Sequence, residues 1–436
     1  MPHRPASGRL HYLVLTVLLC WVTANINLDR YWTSVLEYDI AGYYAYLPAV
    51  FIYDDLRFDF FEPVRDRYQS DRDRGDYRVI TETGAVVDKY YAGTAVAQLP
   101  FFALGHVVTV LTGRPQDGYS YYYIVALVLS SVAYTLLALY FFECMLRWYG
   151  VRSRYRWAVI YAMVFGTNIF VYAAVDPGMS HPYSFACLTG LAWWFLRFCD
   201  TGRQRYYLLM AAAFGLAVLI RPINLIVLPG LFALLRSRGQ VAIVWQQLLE
   251  LRWKLLWGVL LVVAICSIQL IIYRLQTGQY WFYAYGEEGF DFLRPAIADF
   301  LFSYRKGYFL YTPLALLATL SLAYRYRVHR YQATALLLFL ALLVYVFSSW
   351  WSWWYGGSFS SRVMLEYSAF VFLPLALLLE RVGPQLRRVT VGAVIILTLF
   401  AQLQIYQFRH GQLHYADTTR AQYWDSFLRV DRFLQK

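Results

Sequence analysis

Residues 254–273 read KLLWGVLLVVAICSIQLIIY, twenty residues whose single charge sits at the very start. A helix of about 20 mostly apolar residues crosses the hydrocarbon core of a bilayer. One that is apolar all round must be buried in lipid or in protein. Comparable runs recur outward from this stretch, at 10–28, 120–146, 157–175, 182–199, 206–220 and 223–236 on its N-terminal side and at 308–323, 332–348, 363–380 and 389–405 beyond it. The 436 residues are 60% apolar and 15% charged, against roughly 25% charged in ordinary soluble domains. A soluble enzyme, a disordered chain and a disulfide-stapled module are excluded. The expected fold class is an all-α polytopic membrane protein with about eleven transmembrane helices.

Charge placement gives the expected orientation. MPHRPASGRL is short and basic, so Arg4 and Arg9 keep the N-terminus cytoplasmic. The run 10–28 reads as a first span rather than a cleaved signal, because a small-residue cleavage site is poorly defined and more spans follow. Residues 29–119 form a large first outer, or periplasmic, loop rich in Asp, Arg and Tyr, with moderately apolar stretches at 41–53 and 91–111. If 91–111 crossed, Arg147, Arg152, Arg154 and Arg156 would face outside. Four arginines in one short loop favour the cytoplasm, so both stretches are expected as interfacial helices. Asp200, Glu250 and Glu380 are then almost the only inner acids. The expected organisation is a membrane domain over 1–405 and a polar tail over 406–436 on the outer side. The short runs 206–220 and 223–236 meet at Arg221-Pro222 and read as half-length or re-entrant pieces. Proline breaks a helix, and an arginine at that depth must face protein or water.

The net charge of +12 belongs to span flanks, and no nucleic-acid partner is expected. The five cysteines lie in or beside apolar runs without CxxC or Cys/His pairing, so neither a disulfide framework nor a zinc site is indicated. Phosphate-binding P-loop, dinucleotide and HExxH signatures are absent. Asp71-Arg72-Asp73 reads as a solvated charge run.

Five constellations carry the chemistry. Glu37-Tyr38-Asp39 with Tyr43 and Tyr44 follows the first span, where a partly desolvated carboxylate suits a general base. Lys89-Tyr90 leads to Pro100-Phe101-Phe102. Asp176-Pro-Gly-Met-Ser-His181 faces the same compartment as Asp39. Arg305-Lys306-Gly307 runs to Thr312-Pro313. Trp353-Trp354-Tyr-Gly356-Gly357 continues to Arg362. Arginine and lysine pair with phosphate oxygens, two glycines admit close backbone approach, and tryptophan faces can stack on sugars.

The order of these motifs, with Gly215-Leu-Ala-Val-Leu-Ile-Arg221-Pro222-Ile-Asn224, resembles the GT-C superfamily of integral-membrane glycosyltransferases. The likeness is closest to bacterial members of the mannosyltransferase and aminoarabinose-transferase branches, over about Leu10 to Glu380. The resemblance implies an enzyme of the cell (inner) membrane. It would move a sugar from a polyprenyl-phosphate donor to a glycan, lipid or protein acceptor on the outer face, with inversion. Asp39 matches the family's base. Many relatives carry adjacent Asp-Glu where this chain has Glu37 and Asp39 around Tyr38, which keeps Glu37 as the alternative. Arg305, Lys306, Arg362 and Lys89 are the expected donor-phosphate ligands. Tyr43, Tyr44, His181, Asp176, Trp353, Trp354, Gly356 and Gly357 are expected in the pocket. No residue is assigned to a metal, and a divalent ion stays open as cofactor. Competing classes are a transporter or flippase of a lipid-linked sugar or other anion, and a glycan ligase or polymerase.

Overall fold

The computed structural model describes residues 6–29, 32–69 and 75–430; Arg4, the Asp71-Arg72-Asp73 run and the last residues of the tail lie outside them. The described chain is nearly all helical, with one two-stranded antiparallel hairpin, Arg78–Ile80 with Val86–Asp88. Among the described residues, seven helices are long and apolar enough to cross a membrane. They are Gly8–Asn27, Gly93–Leu111, Tyr121–Trp148, the continuous stretch Arg238–Thr277, Arg330–Ser348, Arg362–Arg381 and Pro384–Arg409. All but Gly93–Leu111 coincide with spans expected from hydropathy. Gly93–Leu111 was expected to lie along the interface. It is 19 residues long, and Leu104, Val107 and Leu111 on it are exposed, as a crossing helix and an interfacial one both have them.

Other expected spans are interrupted, for local reasons. The stretch 308–323 is divided into Tyr308–Tyr311, Pro313–Leu320 and Leu322–Val328. Pro313 has no N–H to continue the first of these, and Thr312 leaves the helical region at φ −134°. The stretch 157–175 becomes Ser153–Phe165 followed by a wide turn at Val171–Val175. Gln204–Ile220 ends where Arg221 is extended, at φ −151° and ψ 112°, before a 3-10 turn at Pro222–Ile226. The helix break expected at Arg221-Pro222 is present. Between the expected spans, Arg238–Leu251 is an additional helix running on into Leu255–Thr277. In the tail, Arg420–Ser426 is helical and starts with a Thr419/Gln422 capping box.

Two compact units compose the chain. The first comprises 1–141, 172–225 and 244–287. In it Gln204–Ile220 packs between His181–Thr201 and Leu255–Thr277, and Tyr38–Pro48 packs on Gly93–Leu111. The second comprises 142–171, 226–243 and 288–436. Its buried centre is Ser368–Arg381, flanked by Ser153–Phe165 and Pro313–Leu320. In this unit the basic loop is tied to acids. Glu143, buried, accepts from Arg147 at 2.6 Å and from Arg156 at 2.7 Å, and Glu380 accepts from Arg152 at 2.7 Å.

Candidate active site

The helix Tyr38–Pro48 starts with Glu37 in extended conformation, and Asp39 lies in its first turn, where the helix dipole favours a carboxylate. Residues three, four and seven further on share the face of Asp39. All four positions on that face meet Tyr90. The Tyr90 hydroxyl donates to Asp39 Oδ1 at 2.6 Å. The Tyr43 ring packs on the Tyr90 ring with centroids 4.7 Å apart. The Tyr46 hydroxyl donates to the Tyr90 carbonyl at 2.9 Å. Gly42 makes the approach possible, since a Cβ there would lie 2.3 Å from the Tyr90 ring.

Tyr90 is held from its other side by Asp88, which is fully buried and accepts from the Tyr90 N–H at 2.8 Å. Burial pushes the Asp88 carboxyl well above the usual carboxylate range, and the Tyr90 N–H offsets this only in part. The following turn is anchored by Ala92 N–H to Gln269 Oε1, 2.8 Å. Gly93 then lies directly on the end of Gln204–Ile220, where a Cβ would be 2.2 Å from the Ile220 nitrogen. The next residue along that chain is Arg221. Its Nη1 is 3.1 Å from His181 Nδ1, and the buried His181 ring packs against Tyr172 at 5.4 Å.

Tyr285 joins the same cluster from an irregular segment. Burial raises its hydroxyl well above the ordinary phenol value, the nearby Tyr43 and Asp39 add to the rise, and Arg221 opposes it. Tyr90 is likewise pushed up, by burial first and the Asp39 charge second. The Tyr90 phenol keeps its proton and is the donor to the carboxylate. Lys89 lies 5.3 Å over the Tyr285 ring, a cation–π contact. The first unit thus brings together Asp39, Tyr43, Lys89, His181 and Arg221, and adds Tyr90 and Tyr285. Tyr44 faces elsewhere. It is buried, donates to the Gly118 carbonyl at 2.5 Å and packs on Phe102 and Tyr119. Glu37 is half-buried at the helix cap, and Asp176 is exposed beyond the turn at Val171–Val175.

The second unit groups the other expected residues. Lys306 is buried, and its ammonium donates to the carbonyls of Ser358, of Tyr415 at 2.6 Å and of His414 at 3.4 Å. Burial pulls it down to about 7, with Asp417 opposing and Arg305 and Arg362 reinforcing the shift. Arg305 pairs with Asp417 and lies 3.4 Å over the Trp354 ring. Trp353 packs edge-on to Trp354 at 5.8 Å. Tyr355, Gly356 and Ser360 all have positive φ, at 56°, 65° and 58°. Left-handed backbone at non-glycine positions is strained and concentrates at functional loops. Gly357 lets Tyr415 approach, with 3.2 Å between its ring and a would-be Cβ. Arg362 opens the 3-10 turn Arg362–Tyr367.

Among the described residues, no group of three or more His, Cys, Asp and Glu side chains is placed to hold a metal ion. No protein-family model, curated protein or solved structure matches the chain.

Proposed function

We propose that the chain is a membrane glycosyltransferase of GT-C type, with about eleven membrane passages, its N-terminus cytoplasmic and Asp39 on the outer face. The observation that carries this reading is the half-buried Asp39 carboxylate, oriented by the Tyr90 hydroxyl at 2.6 Å within a cluster that also holds Arg221 and Lys89. A general base needs an oriented acceptor for one proton, and a departing phosphate needs fixed cations. In the proposed step an acceptor hydroxyl attacks the anomeric carbon of a polyprenyl-phosphate sugar. Asp39 takes the hydroxyl proton, a new glycosidic bond forms, and the carbon–oxygen bond to the lipid phosphate breaks with inversion. The phosphate leaves with both bonding electrons. Arg221 and Lys89 supply positive charge in the unit that carries Asp39, whereas Arg305 and Arg362 belong to the second unit. Lys306 is better assigned to holding the tail, because its donors are committed to carbonyls.

Arg221 at a helix break, paired to His181, equally suits an anion site in a transporter or flippase. Purified protein in liposomes, given a panel of labelled polyprenyl-phosphate sugars and mixed glycan, lipid and protein acceptors, separates the two. A covalent sugar–acceptor product supports the transferase. Movement of intact donor between leaflets, with no product from any donor, supports the transporter.

A further inference from the structure

In the second unit, segments expected to face the cytoplasm hold a cluster of cations that the proposed chemistry does not use. Arg325, in Leu322–Val328, is 2% exposed. Its Nε donates to Gln332 Oε1 at 2.7 Å and its Nη2 donates to the same oxygen. Gln332 is fixed in turn by its Nε2, which donates to the Leu234 carbonyl at 2.6 Å and to Tyr149 at 3.1 Å. Nη1 of Arg325 is buried without a hydrogen-bond partner, and so is Nε of Arg236. Arg236 is held with its guanidinium 5.3 Å over both the Trp148 and the Tyr149 rings. Leu322–Val328 packs on Ser368–Arg381, and the charge of Arg381, exposed at the last turn of that helix, acts on Arg325. Burial and the charges of Arg381 and Arg236 hold Arg325 down to about 10, so it is still a cation at neutral pH. Burial, Arg325, Arg381 and Arg236 lower the neighbouring His329 as well, which leaves it neutral there. Among the described residues, no carboxylate pairs with Arg325, Arg236 or Arg381.

Cations near helix C-termini are ordinary, but a buried guanidinium with an unsatisfied donor is costly and calls for an occupant. We propose that Arg325, Arg236 and Arg381 form a binding site for a phosphate group in these segments of the second unit. The guanidinium fork suits phosphate oxygens, and basic pockets at the cytoplasmic ends of membrane helices accept phosphorylated headgroups. The site is independent of the chemistry assigned to Asp39.

The test titrates the purified full chain with short-chain phosphatidylglycerol and, separately, with sodium phosphate, and reads melting temperature. A short-chain diacylglycerol, which lacks phosphate, and sodium chloride at matched ionic strength are the blanks. A saturable rise with a phosphate-bearing probe, absent from the blanks, is expected. Arg236→Gln/Arg381→Gln should raise the half-saturating concentration by about tenfold. Arg327→Gln/Arg388→Gln, which removes the same charge from exposed positions, should change it by less than about twofold. Should the first pair not fold, Arg381→Gln alone is expected to give about threefold, since this exposed residue tolerates change. Response to the lipid alone assigns a headgroup, and response to inorganic phosphate assigns a free phosphate. No saturable response in the wild type, or equal effects of the variant and its charge-matched control, would overturn the proposal.

Discussion

Tyr90 is the residue on which the candidate site turns. Its hydroxyl gives Asp39 a charge-assisted hydrogen bond, of a kind worth about 1.5–3 kcal/mol. Tyr90→Phe keeps the ring that packs on Tyr43 and removes only the donor. It is expected to lower kcat for sugar transfer by about tenfold to a hundredfold with KM for the donor little changed, as steady-state kinetics would show. Asp88 makes a separate prediction about pH. Its carboxyl is raised in the fold, so the unfolded chain ionises first, and stability present below about pH 4 is lost as pH climbs toward the folded value. Asp88→Asn keeps the acceptor for the Tyr90 N–H. It should raise the melting temperature at pH 7 and leave it nearly unchanged at pH 4; a lower value at pH 7 would remove the assigned strain. Asp39 and Arg221 were legible in the sequence, because an acid after a first span and an arginine beside a proline in an apolar run both demand a reason. Tyr90 stands in the sequence only as the neighbour of Lys89, with no role of its own, among 40 tyrosines. The spacing of 39, 42, 43 and 46 puts them on one helix face, but nothing in the sequence says which residue that face meets. Tyr285 lies in irregular chain with no periodicity to read.

At the scale of elements, close backbone contacts place these side chains. Gly93 sits against Leu219 and Ile220 backbone, so Gly93→Val forces the two helix ends apart and moves the Tyr90 turn away from Arg221. Overpacking of this kind costs on the order of 1–3 kcal/mol or more. A lowered melting temperature with loss of transfer is expected. The tail is the second element-level device. Lys306 ties Ser358 to His414 and Tyr415, and its ammonium is depressed to about 7. For a depressed base, stability is complete above the unfolded value of about 10.4 and falls as pH drops through about 7. Lys306→Met should abolish this component of the melting profile between pH 7 and 9. It should also open the segment around 410–418 to limited proteolysis; unchanged cleavage would show that the tail is held by other contacts. The helix ends here were partly readable. Pro222 and Pro313 announced breaks, whereas the hairpin Arg78–Ile80/Val86–Asp88 and the helix Arg238–Leu251 did not stand out, because neither has the length or the hydrophobic contrast of a span.

At the scale of the molecule, hydropathy alone gave the class, since charge-free runs of bilayer length have few other destinations. It did not distinguish a crossing helix from a surface helix at Gly93–Leu111, because both expose apolar side chains such as Leu104 and Leu111. Nor does composition separate a phosphate-binding lysine from a carbonyl-binding one, as Lys306 illustrates, because the difference lies in which backbone folds over it. The central claim is that Asp39 accepts the acceptor's proton during sugar transfer. The measurement that tests it most directly is single-turnover product formation from the preferred polyprenyl-phosphate sugar, with wild type and Asp39→Asn reconstituted at equal folded amounts. Loss of the covalent product in the variant, with donor binding retained, is the expected result. Product formed by Asp39→Asn at the wild-type rate would contradict it.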